Sequence, residues 1–374
     1  MELTKEKTEV IKKLSDFFVK MVERWIPDPL VIAVLLTALV LILSVTLADY
    51  GILQTIDAWG GSFWSLLRFT GQMILILVLG YALAGTPPAR RLLQAAAGRI
   101  NTARGAYISV CFVGAGAALI SWGLSLVAGA IFARTVAETL KAKGVAVHYP
   151  LLVASGYSGF VIWHQGLSGS IPLVVNTPGH FLEGTIGMIP VAATIFSPLN
   201  MAVAFLVLLT LPFIMARQAP SVADNIPLPD HLDADRSERS TSAASHSAEI
   251  SADSPAARLE NARTLNLFLV LLGLAYVGLF FIRDGGSLNL DILNFIFLLA
   301  GLALSKSPKD YLELITDAAK VIGPFLIQYP LYAGLMGVMA ASGLGAMLVD
   351  FFVSIANAET LPIYSFFSAG ILNV

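Results

Sequence analysis

Residues Pro29–Ala48 make a run of 20 amino acids without a charge. About 20 apolar residues are what a helix needs to cross the roughly 30 Å hydrocarbon core of a bilayer. Comparable runs follow at Phe69–Gly85, Ala106–Ala133, Tyr149–Val175, Ile189–Ala216, Thr264–Ile282, Leu290–Ser305, Val321–Val349 and Leu361–Val374. The 374 residues are 56% hydrophobic and 13% charged, against about 25% charged in soluble domains. The expected class is an all-α polytopic membrane protein. A net charge of −2 leaves no basic field for nucleic acid. The single cysteine, Cys111, excludes a disulfide framework and a cysteine-based metal site.

Charge orders the chain. In residues 1–28, Leu14, Phe17, Phe18, Met21 and Trp25 recur at helical spacing among lysines, which reads as an amphipathic helix lying on the membrane. The charged region is too long for a cleaved signal peptide. Residues 29–216 read as a first transmembrane repeat and 264–374 as a second. Between them, 217–263 turns polar and reads as a disordered cytoplasmic linker. The loops 1–24, 86–104, 134–143, 217–263 and 306–320 hold 21 of the 23 Lys and Arg residues, while 49–65, 176–188 and 346–360 hold none. The rich loops, and with them the N-terminus, are therefore expected in the cytoplasm.

The same rule isolates one odd segment. Arg104 precedes Ala106–Ala133, and Arg134, Lys141 and Lys143 follow it, so both ends fall on one side. A re-entrant hairpin over about 105–133, with its tip near Ser121–Ser125, satisfies this. Non-helical backbone at membrane depth is tolerated only where protein buries it or it lines a wet cavity. A weak repeat points the same way: Gly71 answers Gly323, Asn101 answers Asn357 and Tyr107 answers Tyr364. The extra span Thr264–Ile282 would turn the second copy over, and inverted repeats with broken helices mark secondary transporters. On this reading the second hairpin begins near Leu361, and the chain reaches Val374 inside it, without a return limb.

No Asp, Glu, Lys or Arg falls within the interior of any proposed span, Asp49, Asp291 and Asp350 all lying at span edges, and H-E-x-x-H and G-x-S-x-G are absent. Intramembrane enzymes and proton pumps need such groups, so catalysis is disfavoured, with no catalytic, metal or cofactor residues expected. What the interior holds is hydroxyl and glycine. Glycines 156, 159, 166 and 169 and Pro172 predict a discontinuous helix over about 149–175, broken near Ser155–Gly159 or Gly166–Gly169. A broken helix turns its N-terminal N–H groups toward the gap. Facing the tip Ser121, Trp122, Gly123 and Ser125, it could receive a small carboxylate, with Ser155, Tyr157, Ser158, Gln165 and Ser168 adding hydrogen bonds. Each serine also has an ordinary packing role in a membrane helix. His164 is the one central titratable group and a candidate for proton coupling.

These residues carry a resemblance. FVKMVERWIPDPLVIAVLLT, LAGTPPARRLL, SWGLSLVAGAIFAR and GYSGFVIWHQGLSGSIPLVVNTPGH are similar to the bacterial short-chain fatty acid transporter family, over nearly the whole chain. The resemblance implies inner-membrane uptake of acetoacetate, butyrate and similar monocarboxylates. It also implies two re-entrant hairpins and an elevator-type substrate domain. Residues 106–180 and 361 onward would form that domain; spans 29–48, 264–282 and 290–305 would form a scaffold with a homodimer face. Related families carry Ser-Asn-Thr tips that bind sodium. Here the tip is Ser121-Trp122-Gly123, which favours H+ over Na+ as coupling ion. The family's Pro-Ser-Gly-Gly-Gly turn would follow Asn373, placing Asn373 at the second half of the site and the chain's end short of that turn. Rival readings are a carrier of another small organic anion such as a dicarboxylate, a membrane-embedded enzyme and a passive channel.

Overall fold

The computed structural model describes residues 17–220, 225–229, 254–283, 286–357 and 359–372. Asn373, most of the polar linker and the first part of the N-terminal amphipathic segment lie outside them. Among the described residues every regular element is helical: α1 (17–25), α2 (Pro29–Thr46), α3 (Ile52–Ser62), α4 (Leu67–Gly85), α5 (Pro87–Gly98), α6 (Ala103–Ile120), α7 (Trp122–Ala142), α8 (Tyr149–Gly159), a 3₁₀ turn Phe160–Gln165, α9 (Ser170–Val174), α10 (Glu183–Ile186), α11 (Pro198–Arg217), α12 (Pro255–Glu260), α13 (Arg263–Arg283), α14 (Leu290–Leu304), α15 (Pro308–Ala319), α16 (Gly323–Ala341), α17 (Leu344–Ile355) and α18 (Leu361–Leu372). Seven of these, α2, α4, α6, α7, α11, α13 and α16, are long and apolar enough to cross a membrane.

The chain divides into two compact units, one of residues 72–322 and one of 17–71 with 323–372. In the second unit α16 packs on α2 and α3. Gly334 makes that approach possible, since a Cβ there would stand 2.7 Å from the Trp59 indole, and Gly337 abuts Ser62 in the same way. Ser44 and Thr55 share a buried hydrogen bond of 3.1 Å between α2 and α3.

In the first unit the chain reverses at Ser121, which is extended (φ −153°, ψ 131°) between α6 and α7. Ser125 Oγ donates to Gly114 O at 2.8 Å. Eleven residues apart on one straight helix, the two would be about 16 Å distant. The two arms therefore lie side by side, and α8 packs against both. Their shared core is Tyr107, Val110, Cys111, Phe132, Val136 and Leu152, all buried. At the open end Lys143 Nζ donates to Gly98 O (2.7 Å), Ile100 O (2.8 Å) and Asn101 Oδ1 (2.8 Å). This ties the return arm to the end of α5.

Beyond the broken helix, Asn176 Nδ2 donates to Ser287 Oγ (2.7 Å) and Leu288 O (2.8 Å), and Thr177 Oγ1 accepts from Leu290 N (3.3 Å). Gln72 Nε2 donates to Asp291 Oδ1 at 2.7 Å, and Asn294 Nδ2 donates to Gln72 O at 3.0 Å. These polar ties hold the start of α14. Its far end packs on α15, where the Tyr311 ring lies 2.6 Å from where a Gly301 Cβ would stand. Burial there pushes the Tyr311 phenol up to about 12.

Several boundaries differ from the sequence reading. The run Ile189–Ala216 is not one helix: α11 starts at Pro198, with Ser197 Oγ accepting from Asn200 N at 3.3 Å. A cap hydroxyl before an N1 proline is a helix start. The run Val321–Val349 is interrupted by Gly343 at φ 76°, a left-handed conformation that glycine adopts without strain. The segments 86–104 and 306–320, read only as loops, each contain a 12-residue helix started by proline after Thr86 or Ser307. One order of elements occurs twice: α4, α5, α6 and α16, α17, α18, the first two members matching at 19 and 12 residues.

Candidate functional site

The elements converge where the α6–α7 reversal meets the break after α8. Three glycines bring the backbones together. A Cβ at Gly166 would stand 2.5 Å from Leu119 Cα, one at Gly159 2.5 Å from Cys111 O, and one at Gly80 2.5 Å from Leu124 N. Two hydrogen bonds then lock the junction: Leu167 N donates to Leu119 O at 2.7 Å, and Trp122 N donates to Ser168 Oγ at 2.8 Å. The second is a helix-start amide satisfied from another segment, which is how an orphan N–H at the head of α7 is accommodated in the interior.

Each candidate residue within the described segments has a definite place. Ser121 and Ser168 are fully buried at the junction. Ser121 Oγ accepts a long bond from Leu124 N (3.4 Å) and Ser168 Oγ accepts from Trp122 N. Neither hydroxyl donates a hydrogen bond among the described residues. Trp122 is buried, with its ring 6.1 Å from that of Trp163. Gly123 is buried against the backbone of Ile76 and Leu77, so no side chain fits there. Ser125 is committed across the hairpin to Gly114 O, and Ser155 bonds back to Leu151 O at 2.7 Å. Gln165 is half-buried, and its Oε1 has no hydrogen-bond partner among the described residues.

The remaining candidates stand apart from that junction. Tyr157 is 68% exposed and stacks on Phe160 at 5.9 Å. Ser158 is half-buried. His164 lies on the exposed side of the 3₁₀ turn, with its ring 3.6 Å from the Trp163 ring. Sequence reasoning missed Asn200, whose Nδ2 donates to Gln165 O (3.1 Å) and Ile195 O (2.8 Å) and steadies the break from α11. An amide among apolar residues was the available signal. Chemically, the junction offers two buried hydroxyl protons and the Gln165 amide oxygen beside the head of α7, whose amides Trp122 N, Leu124 N and Ser125 N already donate to Ser168 Oγ, Ser121 Oγ and Ser121 O. It presents no cationic side chain among the described residues named here.

A reversed helical hairpin clasping a broken helix, with seven membrane-length helices and only helical elements among the described residues, defines an all-α polytopic membrane protein. The chain belongs to the short-chain fatty acid transporter family, whose model matches residues 10–374. That is a transporter family, not an enzyme family. One relative, from Escherichia coli K12, is 37% identical over 365 residues, spanning 97% of this chain and 80% of its own length. Another, from Haemophilus influenzae Rd, is 34% identical over 377 residues, spanning 97% and 81%. Both are provisionally described as short-chain fatty acid transporters. No solved structure matches the chain.

Proposed function

We propose that the protein is a secondary active transporter carrying short-chain monocarboxylates such as acetoacetate and butyrate across a bacterial inner membrane, coupled to protons or sodium. The observation that supports this most directly is the pair of buried hydroxyls, Ser121 and Ser168, whose protons are undonated beside the first turn of α7. Hydroxyl donors and a helix N-terminus suit one carboxylate without a cationic partner. A second carboxylate would call for another positive partner. The test is uptake of labelled butyrate by vesicles bearing the protein, under an imposed proton or sodium gradient. Accumulation above equilibrium under one gradient is the expected result and names the coupling ion. If protons drive it through His164, His164→Gln abolishes accumulation and leaves downhill flux. Absence of saturable monocarboxylate uptake under both gradients overturns the reading.

The paired order α4–α5–α6 and α16–α17–α18 supports two repeats of opposite orientation, the first hairpin entering from the cytoplasm and the second from outside. In a Cys111→Ser background, Gly98→Cys places a thiol on α5 in open space and Ser354→Cys places one on the exposed side of α17. An impermeant maleimide applied to right-side-out vesicles should label position 354 and spare position 98. Labelling of both, or of neither, would contradict the inversion.

A further inference from the structure

An open pocket of about 90 Å³ lies between α7 and α8, lined by Ser125, Leu126, Ala130, Val153, Gly156 and Phe160, with Tyr157 at its mouth. We infer that this pocket is the subsite for the substrate's alkyl chain, and that Ala130 and Val153 set which chain lengths are accepted. The inference rests on the monocarboxylate reading above and adds the part of the site that reads the tail. The pocket's chemistry carries it. Ser125 already gives its proton to Gly114 O, so the hydroxyl on the wall is spent. The rest of the lining is hydrocarbon and aromatic ring, which suits an alkyl group and not a carboxylate.

Position selects the occupant. Ser121 at the junction and Ser125 in the pocket are one turn apart on the same arm, a rise of about 6 Å, which a four-carbon carboxylate bridges. On the other wall Phe160 stacks on Trp163 at 5.6 Å, and Trp163 approaches Trp122 at the hairpin tip. A headgroup at the tip and a tail in the pocket thus follow one continuous aromatic surface. Each methylene withdrawn from water strengthens binding by about fourfold. Ala130 is exposed and Val153 is 42% exposed, so both can be changed without disturbing the core.

The experiment compares acetate, butyrate and hexanoate in uptake by the whole protein and in purified protein, reading Trp163 fluorescence as the difference from Trp163→Phe. Ala130→Leu should raise the half-saturation concentration for butyrate at least tenfold and that for acetate less than twofold. Val153→Ala should move the preference toward hexanoate. An unchanged acetate-to-butyrate ratio in both variants overturns the inference. So does quenching of Trp163 by lipids with brominated acyl chains that butyrate fails to relieve, since the occupant is then lipid. If the parent protein transports no monocarboxylate, yet hexanoate perturbs Trp163 in it and not in Ala130→Leu, the transport reading falls and the alkyl subsite stands.

Discussion

Gly114→Ala is expected to destabilise the purified protein by about 3 kcal/mol, at the upper end of what overpacking a tight interior costs. The added methyl would meet the carbonyl oxygen of Gly156, and Gly156 cannot retreat. A Cβ at Gly156 would itself lie 3.2 Å from Gly129 O and 3.3 Å from Val110 Cγ1, so three backbones meet at close range with Val110 packed beside them. A clash with backbone cannot be relieved by a rotamer change. Gly116→Ala, two residues away on the same helix, meets nothing within 4 Å. It should be neutral or stabilising by about 0.5–1 kcal/mol, through the helix preference of alanine. Thermal unfolding of the two variants in detergent checks the contrast. Equal effects would mean that α8 does not sit between the arms.

Ser168→Ala should have the largest effect on transport without removing a large side chain. It removes the Ser168 Oγ acceptor from buried Trp122 N, a loss of about 1–3 kcal/mol, and it removes one of the two undonated hydroxyl protons at the junction. Both stability and butyrate affinity should fall, the half-saturation concentration rising by roughly tenfold to a hundredfold. Ser121→Ala separates the two contributions. The only described bond of the Ser121 hydroxyl is the 3.4 Å contact from Leu124 N, so the variant's unfolding midpoint should barely move while the half-saturation concentration rises comparably. If neither variant alters uptake kinetics, the hydroxyls are packing groups and the carboxylate binds elsewhere.

The α6–α7 reversal was legible because four charges, Arg104 on one side and Arg134, Lys141 and Lys143 on the other, cannot face opposite sides of a membrane. The discontinuity after α8 was legible from its glycines, and the helix gives way at Gly159 and again at Gly166–Gly169. The start of α11 was written in Ser197-Pro198 and masked by the hydropathy of the residues before it. Partner choice was not legible. Whether a serine in an apolar helix bonds back to its own turn, as Ser155 does, or across to another arm, as Ser125 does, depends on interhelical distances. Those distances are set by glycines far away in the sequence. The same holds for Tyr157, which faces outward from the last turn of α8, and for His164, whose exposure follows from how the 3₁₀ turn Phe160–Gln165 rotates the chain after α8.

The glycine stack also dictates an order of biogenesis. The cleft that receives Gly156 has one wall from α6, at Gly114, and one from α7, at Gly129. It does not exist until those arms have closed on each other. The hairpin is local in sequence and leaves the ribosome first, and local contacts form early. The polypeptide is therefore built like a dovetail: the socket is completed by one stretch of nascent chain, and the next slides in to lock it.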